Sequence, residues 1–225
     1  MATIVITGAN RGIGLALTEL YLAENNRVIA LCRQASTALS ATSAEVIEGV
    51  DVGDPQSLAE LPTKIKQLLP DNATIDVLIN NAGVLFNESI GALDYQHMLQ
   101  QYQVNALGPV FVTDALLNYL APAAKVIMIT SRMGSMADNG SGGYYGYRMS
   151  KAALNAAAIS FTRDLESKGI AVGILHPGFV QTEMVGGAGH ITAKQAAAGL
   201  AQRILELSLA TTGSFRHSDG QDLPW

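Results

Sequence analysis

Short runs rich in valine and isoleucine alternate, from the first residues almost to the last, with longer stretches of helical periodicity. The runs are TIVIT (3–7), RVIALC (27–32), EVIEGV (45–50), IDVLIN (75–80), KVIMIT (125–130) and IAVGILH (170–176). Their apolar residues are nearly continuous rather than alternating, the pattern of strands buried on both faces, and such strands pair in parallel under helical crossovers. Helices are predicted over 12–24, 56–69, 94–119, 147–167 and 193–209. A βαβ order of this kind predicts an α/β fold with a doubly wound parallel sheet. Between the second and third strands, RQASTALSATSA (33–44) is small and polar, so only a short or irregular helix is expected there. No repeat, linker or charge block divides residues 1–225, and one domain is expected.

Composition narrows the function. Apolar residues make up 48% and charged ones 15% of the chain, which suits a sheet covered on both faces. The longest apolar stretches are too short for a membrane span, and no basic region precedes the first strand, so a cytoplasmic chain with no secretory leader is expected. A single cysteine, Cys32, excludes an intrachain disulfide, and histidines 97, 176, 190 and 217 show no metal-ligand spacing; no metal is expected. A net charge of −5 without a basic run argues against a nucleic-acid partner. The expected partner is a small molecule.

TGANRGIG (7–14) follows the first strand and opens the first helix. Gly8, Gly12 and Gly14 permit a tight turn, backbone approach to a pyrophosphate and close packing of the helix start on the strand. An NAD site carries a carboxylate about 20 residues beyond such glycines, which would repel a 2′-phosphate. Here that position reads LCRQ, and Arg33 replaces the acid. Arg33, together with Arg11 in the loop, reads either as a clamp for the 2′-phosphate of NADP or as solvated surface charge.

GGYYGYRMSK (142–151) offers three tyrosines and a lysine. With a helix beginning near Gly146, Tyr147 and Lys151 share one face about 6 Å apart along the axis, while Tyr144 falls before the helix and Tyr145 points elsewhere. A carbonyl receiving hydride needs a proton donor and hydrogen bonds aimed at its oxygen. Tyr147 qualifies once the nearby Lys151 ammonium favours its phenolate, since an ordinary phenol titrates near 10. Ser131, at the end of the fifth strand, is either a donor to the substrate oxygen or an ordinary turn serine, with Ser135 as its rival. Asn105 interrupts an apolar helix four residues before Pro109, whose missing N–H leaves the Asn105 carbonyl free; this is either a water site or a plain kink. Met133, Met136, Tyr144, Tyr145 and Phe179 either line an apolar pocket or serve as packing.

TGANRGIG, NNAG (80–83), Asn105, Ser131, YRMSK (147–151) and HPGFVQT (176–182) occur in family order across nearly the whole chain. Together they resemble the short-chain dehydrogenase/reductases, and GGYYGYRMSKAALN with the ending DGQDLPW resembles the C-factor and Sniffer subgroup of carbonyl-reductase-like proteins. The resemblance implies a Rossmann-type fold and an NADP(H)-dependent oxidoreductase acting on C=O and CH–OH groups of a small aldehyde, ketone or quinone. It implies roles for Tyr147 as acid/base, for Lys151 in tuning it and bonding the nicotinamide ribose, for Ser131 as oxygen donor and for Asn105 in holding a relay water. Cofactor contacts are implied for Gly8, Asn10, Arg11, Gly12, Ile13 and Gly14; for Arg33, Asp51 and Val52 around the adenosine; and for Asn80, Ala82 and Gly83 at the end of the fourth strand. Tyr147, Lys151, Pro177, Gly178, Val180 and Thr182 are implied as cofactor contacts at the nicotinamide end, while His176 reads as a packed or hydrogen-bonded turn residue rather than a catalyst. Family members commonly form homodimers through helices here at 94–119 and 147–167. The C-factor side of the resemblance leaves a different class open, an NADP-binding signalling or sensor protein with little turnover. The segment from Ser131 to Tyr147 is longer than in many relatives, and the one between Thr182 and Thr192 leaves little room for a long substrate lid.

Overall fold

The computed structural model describes residues 1–70 and 73–225. Seven strands form one parallel sheet: β1 (Thr3–Thr7), β2 (Arg27–Leu31), β3 (Glu45–Ile47), β4 (Ile75–Asn80), β5 (Leu120–Ile129), β6 (Ala171–His176) and an edge strand, Phe215–His217. The spatial order is β3-β2-β1-β4-β5-β6 and then the edge strand, with every ladder parallel. The order reverses between β1 and β4, and the carboxyl ends of strands at such a switch point are where α/β sheets bind ligands. Two further two-residue strands, β7 (Val180–Gln181) and β8 (Ile191–Thr192), pair beyond β6, so the edge strand is β9.

Helix α1 (Gly12–Ala23) covers one face of the sheet with α8 (Ala193–Glu206). Leu17, Ala197 and Leu200 there meet Ile6, Ile79 and Ile127 from the strands, all fully buried. Removing each large aliphatic side chain from water contributes roughly 1.5–3 kcal/mol. Helices α3 (Pro55–Ala59), α4 (Leu61–Leu68), α6 (Gly108–Leu116) and α7 (Tyr145–Asp164) cover the other face, where Ile65, Leu116 and Leu154 meet Val5, Leu78 and Val126. A four-residue helix, α2 (Thr37–Ser40), is all that forms between β2 and β3, as that polar segment predicts.

The expected helix 56–69 is two helices that break at Glu60, with Pro62 in the first turn of the second. The expected helix 94–119 is α5 (Tyr95–Tyr102), a π-helical turn at Gln103–Leu107, α6 and a closing 3-10 turn. Asn105 lies inside that π turn and Pro109 stands in the first turn of α6. Asp54 caps α3 through the Gln56 N–H at 3.0 Å, the role its position before Pro55 suggests. Across the sheet, Lys125 Nζ donates to the Ile204 and Leu205 carbonyls at 2.6 and 3.0 Å, a cation at the end of α8 where helix carbonyls lack partners. Among the described residues no helix is long and apolar enough to cross a membrane.

Candidate active site

The glycine loop turns from β1 into α1 with Gly8 and Gly12 at φ +64° and +55°. A Cβ on Gly8 would stand 2.8 Å from Ala82 Cα, and one on Gly14 would collide with the Gly8 carbonyl and the Asn81 amide. Bare backbone is therefore required where helix, loop and the end of β4 converge. Asn81 locks that junction: its Nδ2 donates to the Thr7 and Gly8 carbonyls at 3.0 and 3.2 Å, and its N–H and that of Ala82 donate to Thr7 Oγ1. Helix α1 has no side-chain cap, so its first N–H groups are open to an anion in the cleft.

A cleft of about 760 Å³ runs over the carboxyl ends of the strands. Gly8, Asn10, Arg11, Gly12 and Ile13 form its wall at the loop. Arg33, Asp51 and Val52 form the end nearest β2 and β3, Ala82 and Gly83 the floor, and Tyr147, Lys151, Pro177 and Thr182 the far end. Asn10 joins the loop to the turn after Arg33, its Oδ1 and carbonyl accepting from the Ser36 N–H and hydroxyl at 2.5 and 2.8 Å. Asp51 Oδ1 accepts from the Gly53 N–H at 2.9 Å. Arg33 is exposed in the cleft, and its side chain makes no hydrogen bond or ion pair among the described residues. Arg11 is different: its guanidinium is paired with Glu183 across the cleft mouth, a partner the sequence pattern does not reveal.

Four expected cofactor residues do not front the cleft. Gly14 is used in packing. Asn80 is 1% exposed and turned inward, its Nδ2 on Thr113 Oγ1 at 3.1 Å, so the neighbouring Asn81 is the asparagine that reaches the cleft. Gly178, at φ +95°, is a turn residue where a Cβ would stand 3.1 Å from Ile191 Cδ1, and Val180 is buried beside its ladder partner Ile191.

Helix α7 begins one residue before the expected start, after Tyr144 in a left-handed conformation, and presents Tyr147 and Lys151 on its buried face. Lys151 Nζ lies 5.9 Å from the centroid of the Tyr147 ring and donates to the Ile129 carbonyl at 2.9 Å. The turn after β5 packs so tightly on α7 that a Cβ on Gly134 would stand 2.8 Å from the Lys151 carbonyl carbon. That contact brings Ser131 beside Tyr147; its Oγ accepts from the Met133 N–H at 3.1 Å and keeps its own hydrogen to give. Asn105 stands behind, fully buried, donating to Ser150 Oγ at 3.0 Å, while Ser150 donates to the Tyr147 carbonyl at 2.8 Å. A Cβ on Gly83 would stand 3.2 Å from Asn105 Oδ1 and 3.8 Å from Lys151 Nζ, so the glycine floor joins these two.

Burial governs the titration of the pair. It pushes the Tyr147 phenol up to about 12, only partly offset by the Ser131 hydroxyl, and pulls the Lys151 amine down to about 8. Loss of water around both groups, rather than the ammonium, therefore sets the acidity of the phenol. Between about 8 and the ordinary 10.5, the unfolded chain holds the lysine proton and the folded one does not, so the cost of burying the charge is full below this window and is relieved as pH rises through it. Wild-type stability relative to Lys151→Met should accordingly rise from about pH 8 to about pH 10.5, read from urea midpoints; a difference independent of pH would contradict this.

His176 packs edge-on to His217 with centroids 5.0 Å apart, and burial first, then the His217 charge, push it down to about 3. It is a packed residue, as expected. The long loop after Ser131 is pinned by Arg148, which donates to Ser141 Oγ and the Gly143 carbonyl at 2.9 and 3.2 Å. Met136 and Phe179 are exposed, while Met133, Tyr144 and Tyr145 are half-buried.

Residues 2–192 match the family described as short chain dehydrogenase. The 1-hydroxy-2-glutathionyl-2-methyl-3-butene dehydrogenase of Rhodococcus sp. (strain AD45) is 38% identical over 229 residues, covering all of both chains. Carbonyl reductase Sniffer of D. melanogaster superposes with a TM-score of 0.91 at 30% identity over all of both chains. An NADPH-bound carbonyl reductase from chicken fatty liver gives 0.92 at 28% identity, over 100% of this chain and 99% of that one. The chain belongs to the short-chain dehydrogenase family of oxidoreductases.

Proposed function

We propose that this protein is an NADPH-dependent carbonyl reductase, reversible as an alcohol dehydrogenase, acting on a small aldehyde, ketone or quinone. The observation that carries the reading is the cleft itself, with an uncapped helix start and a free Arg33 at one end and the buried Tyr147–Lys151 pair at the other. The glycine cradle, which any Cβ at positions 8 or 14 would obstruct, fits a dinucleotide pyrophosphate. Arg33 suits a 2′-phosphate, and the NADPH-bound avian carbonyl reductase supports that choice.

When bound, the reduced nicotinamide supplies the hydride. The chain's own residues do the rest: Ser131 donates a hydrogen bond to the substrate oxygen, Tyr147 gives it a proton, and Lys151 holds the ribose. Asn105, fixed to the 84 position and to Ser150, holds a water behind Lys151 that returns the proton from solvent. A phenol near 12 is fully protonated at neutral pH, the state that reduction requires. Tyr95, Leu107, Phe111 and Met149, exposed on α5, the π turn, α6 and α7, support a homodimer through these helices. The test is NADPH oxidation with a panel of small aldehydes, ketones and quinones. Turnover of at least one class is expected; NADPH binding without turnover of any class would favour the sensor reading instead.

A further inference from the structure

Residues 81–88 leave β4 as an extended strap, and alternate positions of it are bonded to the helices around the reactive pair. The Val84 N–H donates to Asn105 Oδ1 and the Val84 carbonyl accepts from Asn105 Nδ2, both at 2.8 Å. The Phe86 N–H donates to Gln101 Oε1 at 2.9 Å. Gln101 and Asn105 are four apart and share a helix face, so one face reads two successive rungs of the strap. At the third rung the Glu88 carbonyl accepts from the Tyr144 N–H at 2.8 Å. The Glu88 carboxyl accepts from Gln101 Nε2 at 2.5 Å and from the Gly146 N–H at 3.2 Å.

Glu88 is 1% exposed and Gln101 fully buried, and among the described residues no cation pairs with the carboxyl. Its partner is instead the start of α7, which has no side-chain cap of its own. A carboxyl group has the favourable sign there, and it accepts from one of the N–H groups that a helix start leaves without partners. The fit is close, since a Cβ on Gly146 would collide with Gln101 Nε2 and stand 2.9 Å from Met98 Cα. The bonding sense is also determined. The Phe86 N–H holds the Gln101 oxygen, which leaves the Gln101 amide as a donor, and the Gly146 N–H is a second donor. The Glu88 carboxyl meets each donor with a separate oxygen, Oε1 for Gln101 and Oε2 for Gly146.

We infer that Glu88 and Gln101 are positioning residues for Tyr147, a buried pair that replaces the missing cap of α7 and sets the reach of the phenol one residue further on. The inference rests on the reading of Tyr147 as the proton donor. It is tested by exchanging the two groups in the full chain. Glu88→Gln leaves one donor facing another, and Gln101→Glu sets two carboxyls together. The double variant Glu88→Gln/Gln101→Glu restores every bond, with the new carboxyl accepting from Phe86 and from the amide at 88, whose oxygen accepts from Gly146.

Each single variant should lower kcat on the order of tenfold to a hundredfold at unchanged NADPH affinity, as expected for a small misplacement of a reacting group. The double variant should recover most of it. Hydrogen exchange of amides 144–150 should quicken in the singles and slow again in the double, a readout that needs no turnover. Singles that lower only the thermal midpoint, with kcat per folded molecule unchanged, would overturn the inference. So would a double variant no better than its parents. Exchange that follows the swap supports the pairing whatever the turnover, and failure of the Tyr147 assignment is read separately, from Tyr147→Phe.

Discussion

Tyr147→Phe should lower kcat at saturating NADPH by at least about 100-fold, the lower range for loss of a general acid, while NADPH affinity stays within about twofold. The substitution removes one oxygen from a ring that is 8% exposed and packed along the inner face of α7, so volume and helix packing are retained. Lys151, which faces the cleft through its bond to the Ile129 carbonyl, is untouched. Equal loss of kcat and of kcat/KM would mark an interaction made only in the transition state. Single-turnover rates with bound NADPH check this. A variant that turns over like the wild type would remove Tyr147 from the chemistry and leave Ser131 as the remaining candidate donor.

Replacing Arg33 should change the choice of cofactor. Arg33→Asp removes one or two charge-assisted hydrogen bonds to a 2′-phosphate, each worth about 1.5–3 kcal/mol, and so weakens NADPH by roughly 10- to 100-fold or more. The new carboxylate also repels the phosphate and suits the 2′-hydroxyl of NADH, so the ratio of the two cofactor affinities should swing further than the loss of NADPH alone. Arg11 should matter less. Its guanidinium is already paired with Glu183, both side chains are largely exposed, and such pairs contribute about 0–1 kcal/mol. Fluorescence titration with NADPH and NADH measures both effects. An unchanged ratio in Arg33→Asp would return Arg33 to the status of a solvated charge.

Much of this architecture was legible because parallel strands buried on both faces leave continuous apolar runs, and β1, β2, β4 and β6 all carry one. The edge strand β9 was not, since Phe215 is the only apolar residue of its three and the strand is covered on one side only. The two-residue strands β7 and β8 are too short to produce any period. Pro109 signalled the disturbance around Asn105, but a π turn rather than a simple kink absorbs it. At the site, helical spacing singles out Tyr147 as the tyrosine that shares a face with Lys151. Asn80 and Asn81 could not be told apart, because which of two adjacent asparagines faces in depends on where β4 ends. Glu183, Glu88 and Gln101 carried no signal, since their partners lie 172, 58 and 15 residues away along the chain. Helical spacing likewise shows that a cation is near the phenol but not how little water remains around it.

Transfer of deuterium tests the account most directly. The wild-type protein is given NADPH deuterated at the transferable nicotinamide position together with an aldehyde or ketone it consumes, and the alcohol is examined by mass spectrometry. The account predicts one deuterium on the former carbonyl carbon of each product molecule. An alcohol formed from an aldehyde or ketone without the label, or NADPH held in the cleft with no turnover of any carbonyl offered, would contradict it.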